Sequence, residues 1–257
     1  MPNLDVAAYL ARIGYRGDEK PTADALRALQ FAHLSAVPYE NLDLLQGIPL
    51  SLEVEKLYDK IVCRHRGGYC FELNELFGWL LRTLGYEVTD YFARFLSDEP
   101  SIPMRRHHVL GVSVPGEMER WLCDVGVGSG SPNFPVKMVY ALEQSQGNEC
   151  YRFDLDAFLG WVLKTRKQGV WKPLFSFTEE PQLPIDFVAT SFYCEHAPDS
   201  PFHQAAMISR RTSTGRYTLD GDTFKHFDGE QVTVWKEKTA QARTETIMRL
   251  FGLAEYK

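Results

Sequence analysis

Apolar residues in this 257-residue chain change their period once, near residue 86, and that change limits what the chain can fold into. Before it the spacing is helical. Leu73, Leu76, Phe77, Leu80, Leu81 and Leu84 step by three and four, which predicts a helix that begins after Gly67-Gly68, buries this stripe and stops at Gly85. Upstream, Asp5 and Thr22 are placed to cap helices ending at Ile13 and about His33. Glu53 and Glu55 sit in the first turn of a further helix after Ser51, where negative charge suits the helix dipole. Past Glu87 the runs are short, β-prone and broken by Pro and Gly: 88–95, 109–114, 121–125, 151–153, 161–163 and 171–177. This middle third reads as an antiparallel sheet or barrel. The last third mixes a helix after Pro201, strands over 216–219, 224–227 and 232–235, and a final helix over about 239–251. No repeat or low-complexity linker separates the three regions, so the class is α+β.

Composition narrows the partners. Hydrophobic residues at 44% and charged residues at 24% are near the globular average, so the chain can bury a core and is neither disordered nor fibrous. A formal charge of −6 without a Lys/Arg-rich run gives no general attraction to nucleic acid or an acidic membrane. No apolar run is long enough to span a bilayer, and residues 1–10 lack a basic and apolar leader pattern, so a reducing cytoplasm is the expected compartment. Cys63, Cys70, Cys123, Cys150 and Cys194 are odd in number, so at least one thiol is free or pairs between chains. Their spacing is unlike structural zinc sites, and no metal is expected.

Cys70 falls in the first turn of the clearest helix, behind Gly67 and Gly68, where unpaired N–H groups and the helix dipole favour thiolate over thiol. The two glycines read as clearing side chains from the path of a substrate. A cysteine nucleophile wants a base and a group to orient it. His107 and His108 open the strand over 109–114, and the return strand over 120–125 contains Asp124. For a hairpin centred near residue 116, His108 and Asp124 face each other; a centre at residue 117 makes them diagonal neighbours on one face. His107 then points to the other face. Cys70, His108 and Asp124 thereby form a nucleophile, base and orienter set. The following Gly126-Val127-Gly128-Ser129-Gly130 turn can aim N–H groups at a pyrophosphate, or serve only as a connector. Arg210, Arg211 and Arg216 read as a solvated face or as a site for an anionic cofactor.

Five segments in order resemble the arylamine N-acetyltransferase family: Val37-Pro38-Tyr39-Glu40-Asn41-Leu42, Arg66-Gly67-Gly68-Tyr69-Cys70 through Asn74, Arg106-His107-His108, Asp124 through Gly128, and Ser191 through Phe202. The resemblance implies an N-terminal helical bundle (1–85), a central antiparallel β-barrel (86–190) and a C-terminal α/β lid (191–257) around a cysteine-protease-like Cys-His-Asp core. It also implies acetyl-coenzyme A as co-substrate and ping-pong acetylation of aromatic amines or hydrazines by a monomer or homodimer. Cys70 is then the acetylated nucleophile, His108 the base and Asp124 its orienter. Gly126, Val127, Gly128, Ser129 and Gly130 would lie along the pyrophosphate, with Phe202 and His203 also near the cofactor. Tyr39, Tyr69, Phe71 and Val127 would line the acceptor pocket. His107 stands where the family usually has Thr, so the base rests on the hairpin centre, and Val127 replaces a family Phe. The same triad also suits an amide synthase or a cysteine hydrolase with another acyl donor.

Overall fold

The computed structural model describes residues 4–97, 101–130 and 132–253. Helix α1 (Val6–Ile13) starts where the Asp5 carboxylate accepts from Ala7 N at 2.8 Å and ends at the left-handed Gly14. In α2 (Ala23–Ala36), Thr22 caps Ala25 N at 3.2 Å. The two-residue strand β1 (Tyr39–Glu40) and the short helices α3 (Leu42–Leu45) and α4 (Val54–Tyr58) follow, the last opening into a π turn over Asp59–Cys63. Helix α5 (Cys70–Thr83) is the one the leucine stripe predicts. Leu73, Leu76, Phe77, Leu80 and Leu81 are fully buried in it, each burial contributing roughly 1.5–3 kcal/mol.

The middle of the chain supplies β2 (Glu87–Phe95), β3 (His107–Ser113), β4 (Trp121–Cys123), β5 (Val136–Lys137), β6 (Gln144–Gln146), β7 (Glu149–Asp156), β8 (Gly160–Lys167) and β9 (Val170–Phe177). They form one antiparallel sheet in the order β5-β4-β3-β2-β9-β8-β7-β6. Its two edges meet through side chains. The Gln144 amide accepts from Lys137 N at 2.8 Å and donates to Lys137 O at 2.9 Å, and Gln146 does the same for Phe134. The sheet is thereby nearly closed into a barrel filled by Tyr91, Val109, Leu122, Phe153, Leu163 and Phe175.

Helix α6 (Asp186–His196), a 3₁₀ turn (Pro201–His203), β10 (Met207–Arg211), β11 (Gly215–Asp220), β12 (Thr223–Asp228), β13 (Gln231–Trp235) and α7 (Ala240–Phe251) complete the fold. The second sheet runs β1-β10-β11-β12-β13, so a strand from the N-terminal third forms its edge. Helix α7 covers this sheet with Ile247, Leu250 and Phe251.

Two sequence readings are corrected here. The helix expected after Pro201 is only the 3₁₀ turn, and the true helix precedes it. The arginine cluster is no solvated face: Arg211 is buried beside Glu149, and Arg216 lies 4.0 Å over the Phe227 ring. All five cysteines are free, with Cys63 alone exposed. Among the described residues no helix is long and apolar enough to cross a membrane.

Candidate active site

The chain enters α5 under tight constraint. Glu40 N donates to Gly68 O at 2.8 Å, pressing β1 against the glycine pair. A Cβ on Gly67 would lie 2.1 Å from Pro38 O, and one on Gly68 would lie 2.8 Å from Glu72 Oε2. Packing therefore requires both glycines, which corrects the reading that they clear a substrate path. Tyr69 N donates to Glu72 Oε2 at 3.1 Å, capping the helix. Lys60 Nζ reaches Glu72 and Asp43 at 2.7 Å each, and Arg66 bridges Asp43 to Glu40 at 2.7 and 2.8 Å. Burial pulls the Lys60 ammonium down, but Glu72, Glu40 and Asp43 outweigh it and hold it above its ordinary range. This buried ion network fixes Cys70 as the first helical residue.

Opposite α5, β3 pairs with β4 so that Leu110 faces Cys123, and the midpoint of the hairpin falls between residues 116 and 117. That half-step reverses the expected pairing, because a register slip of one residue turns a strand's side chains to the other face. His107, not His108, meets Asp124: His107 Nε2 donates to Asp124 Oδ2 at 2.7 Å. His108 Nε2 instead lies 2.9 Å from Asp90 Oδ1 on β2, with its ring stacked 4.1 Å from Phe187. Asp124 Oδ1 accepts from Asn74 Nδ2 at 3.0 Å and from Gly126 N at 2.8 Å. Asn74 Oδ1 accepts from Val125 N at 2.9 Å, and Asn74 Nδ2 also donates to His108 O at 2.7 Å. One asparagine on the helix of Cys70 thus binds the strands of both other groups.

With Asp124 accepting at Nε2, the His107 proton sits on that nitrogen and Nδ1 carries a lone pair. Nδ1 is buried and has no hydrogen-bond partner among the described residues. The ring is held between Phe95 and Phe175, with centroids 4.6 and 5.5 Å away. Cys70 Sγ lies 3.9 Å from the carbonyl oxygen of Arg106, the residue before His107. Gly126 closes the cluster, since a Cβ there would sit 2.6 Å from Cys70 Cα. Burial pushes the Cys70 thiol well above its ordinary range, and the charges of Cys194 and Asp124 add to this, while the backbone N–H groups of His108 and Phe71 oppose it. A thiolate here therefore needs its proton to rest on an adjoining base.

Cys70 opens into a cavity of about 460 Å³ between the barrel and the second sheet. Of the residues expected near substrate or cofactor, Tyr39, Gly126, Val127, Gly128, Ser129 and Phe202 line it. Tyr69, Phe71, Gly130 and His203 do not. Tyr69 and Phe71 are fully buried, the former with its hydroxyl on Ser191 Oγ at 2.6 Å and the latter against Phe187. A Cβ on Gly130 would meet Val127 at 3.3 Å and Leu174 at 3.5 Å, and His203 turns to the carbonyl of Glu195. The sequence reading missed Phe95, Arg106 and Lys225 on the wall, and Asn74 and Asp90 behind it. For Asn74 a signal existed: a buried polar residue within an apolar stripe needs partners.

A family model described as N-acetyltransferase matches residues 22–254. The arylamine N-acetyltransferase of Mycobacterium tuberculosis is 36% identical over 255 residues, covering 97% of this chain and 89% of the relative. Its solved structure superposes with a TM-score of 0.92 at 35% identity, covering 97% of this chain and 93% of that one. The Mycobacterium marinum arylamine N-acetyltransferase in complex with CoA gives 0.91 at 34% identity, with the same coverage of 97% and 93%.

Proposed function

Because this chain belongs to the arylamine N-acetyltransferase family and is an acyltransferase, we propose that it carries an acetyl group from acetyl-coenzyme A to an aromatic amine or hydrazine through an acetylated Cys70. The observation that carries the reading is the buried His107, with Nε2 on Asp124 and an unpartnered Nδ1. In the first half-reaction Nδ1 takes the Cys70 proton as sulfur attacks the thioester carbonyl. Collapse of the adduct expels coenzyme A sulfur, which takes that proton back. In the second half-reaction the amine attacks acetyl-Cys70, gives a proton to Nδ1, and leaves as the amide while the thiol is reprotonated. Asp124 keeps the tautomer and stabilises the transient imidazolium. Arylamines are largely neutral at pH 7, so the acceptor needs no prior deprotonation.

The cavity suits both partners in turn. Arg106 and Lys225 supply positive charge for a polyanionic cofactor, and Gly126 and Gly128 bring backbone close to the entering chain. The solved Mycobacterium marinum relative in complex with CoA supports that donor. Val127 leaves more room for an acceptor ring than a Phe would. A free nucleophilic thiol also fits a reducing compartment, the cytoplasm. The test is mass spectrometry after mixing with acetyl-coenzyme A alone. One acetyl group should appear on the peptide containing Cys70 and vanish when an arylamine is added; absence of that adduct overturns the reading.

A further inference from the structure

Behind the cavity, on the other face of β3, three buried metal-ligating side chains converge from three elements. Glu75 of α5, Asp90 of β2 and His108 of β3 bring one donor atom each to within 4.8 Å of one another. Their exposures are 6%, 5% and 1%. Asp90 is engaged by His108 and by Arg82. The Glu75 carboxylate belongs to the same buried cluster, and the second ring nitrogen of His108 is buried without a hydrogen-bond partner among the described residues. Burying a carboxylate there costs hydration, which neighbouring positive charge or a bound cation offsets. Two carboxylates, one imidazole and the guanidinium of Arg82 thus share the cluster.

We propose that Glu75, Asp90 and His108 form a binding site for a divalent first-row transition ion, zinc being the natural choice for one imidazole and two carboxylates. Zinc bonds of about 2.0–2.2 Å require the three donors to draw together by small side-chain rotations. Arg82, paired with Asp90, would then act on a ligand from outside the coordination shell. The site uses no cysteine, which is why cysteine spacing gave no hint of it. It joins the helix of Cys70 to the strand of His107, so an occupying ion would brace the two elements that hold the cavity floor.

The test is equilibrium dialysis of the full chain against zinc, with Glu75→Gln as the paired variant. Both retain every thiol, so their difference isolates this site. The wild type should keep one more zinc per chain than Glu75→Gln. Zinc should raise the wild-type Tm by several degrees, reversibly with chelator, and leave the variant unmoved. Cobalt in place of zinc should give d–d absorption without a thiolate charge-transfer band on the wild type, a readout independent of the variant's folding. Equal zinc uptake by the two chains, or cobalt spectra showing thiolate ligation alone, overturns the proposal.

Discussion

Asn74 Nδ2 lies 3.0 Å from Asp124 Oδ1, tying the helix that begins with Cys70 to the carboxylate that orients His107. The proposed nucleophile and base come from segments far apart in sequence, and this side chain links them. Asn74 does not line the cavity. Its replacement by Ala should therefore lower kcat, on the order of 10²-fold for a misplaced base, while leaving the KM for acetyl-coenzyme A nearly unchanged. It should also cost about 1–3 kcal/mol of stability, because Val125 N and Asp124 lose buried partners. An unchanged kcat would show that Gly126 N, His107 and Gln30 hold Asp124 adequately without Asn74.

The two adjacent histidines should separate cleanly by mutation. His107→Gln removes the proposed base and should reduce acetyl transfer by about 10²–10⁴-fold, with a matching fall in the alkylation rate of Cys70. His108→Gln disturbs the contact with Asp90 on the opposite face and should leave turnover within about tenfold of wild type. Steady-state rates and iodoacetamide trapping on both variants decide the assignment. The reverse ranking would make His108 the base even though it turns to Asp90 and not to Asp124.

Why the sequence paired the other histidine with Asp124 is a matter of parity. The stripe from Leu73 to Leu81 repeats enough to fix α5 by period alone, whereas a hairpin centre is one number that no pattern in residues 115–119 specifies. Half a residue of error exchanged the faces of His107 and His108 while leaving both on the correct strand. Helix α6 escaped notice for a different reason: Val188 and Phe192 are exposed, so its apolar residues do not gather on one buried face. Strand β10 was hidden by Arg210 and Arg211, which look like surface residues until Glu149 of the neighbouring sheet is placed beside them. The place of Cys70 was legible because its helix was. The residues that hold it, Asn74, Glu72 and Lys60, depend on contacts between distant segments that periodicity does not encode.

Close approach at Gly126 should be more demanding than backbone freedom at Gly116. A Cβ on Gly126 would meet Cys70 Cα at 2.6 Å and Asn74 Nδ2 at 2.7 Å, whereas one on Gly116, at φ 84°, has nothing within 4 Å. Gly126→Ala should lose about 1–3 kcal/mol to overpacking and most of its activity, because the displaced groups belong to the site. Gly116→Ala should lose roughly 1 kcal/mol from its left-handed backbone and keep wild-type turnover. Urea midpoints with parallel rate measurements test both halves; equal activity loss at the two positions would refute the packing account.

Acid sensitivity should trace in part to His33, which is fully buried with Nδ1 3.0 Å from the Tyr9 hydroxyl. Burial, aided by the charge of Arg12, lowers its pKa to about 3, from an ordinary value near 6.5. Below pH 6.5 the unfolded chain takes up a proton that the folded one refuses, so stability falls as pH drops and levels off near pH 3. By pH 5 the difference is about 1.5 pH units, or about 2 kcal/mol. His33→Gln cannot titrate, so it should be less stable than wild type at pH 7, where it loses the native packing, yet lose less between pH 7 and pH 5. The comparison of interest is the slope of unfolding free energy against pH, measured from urea midpoints of both proteins. Parallel slopes would mean that His33 takes up its proton equally in the folded and unfolded states.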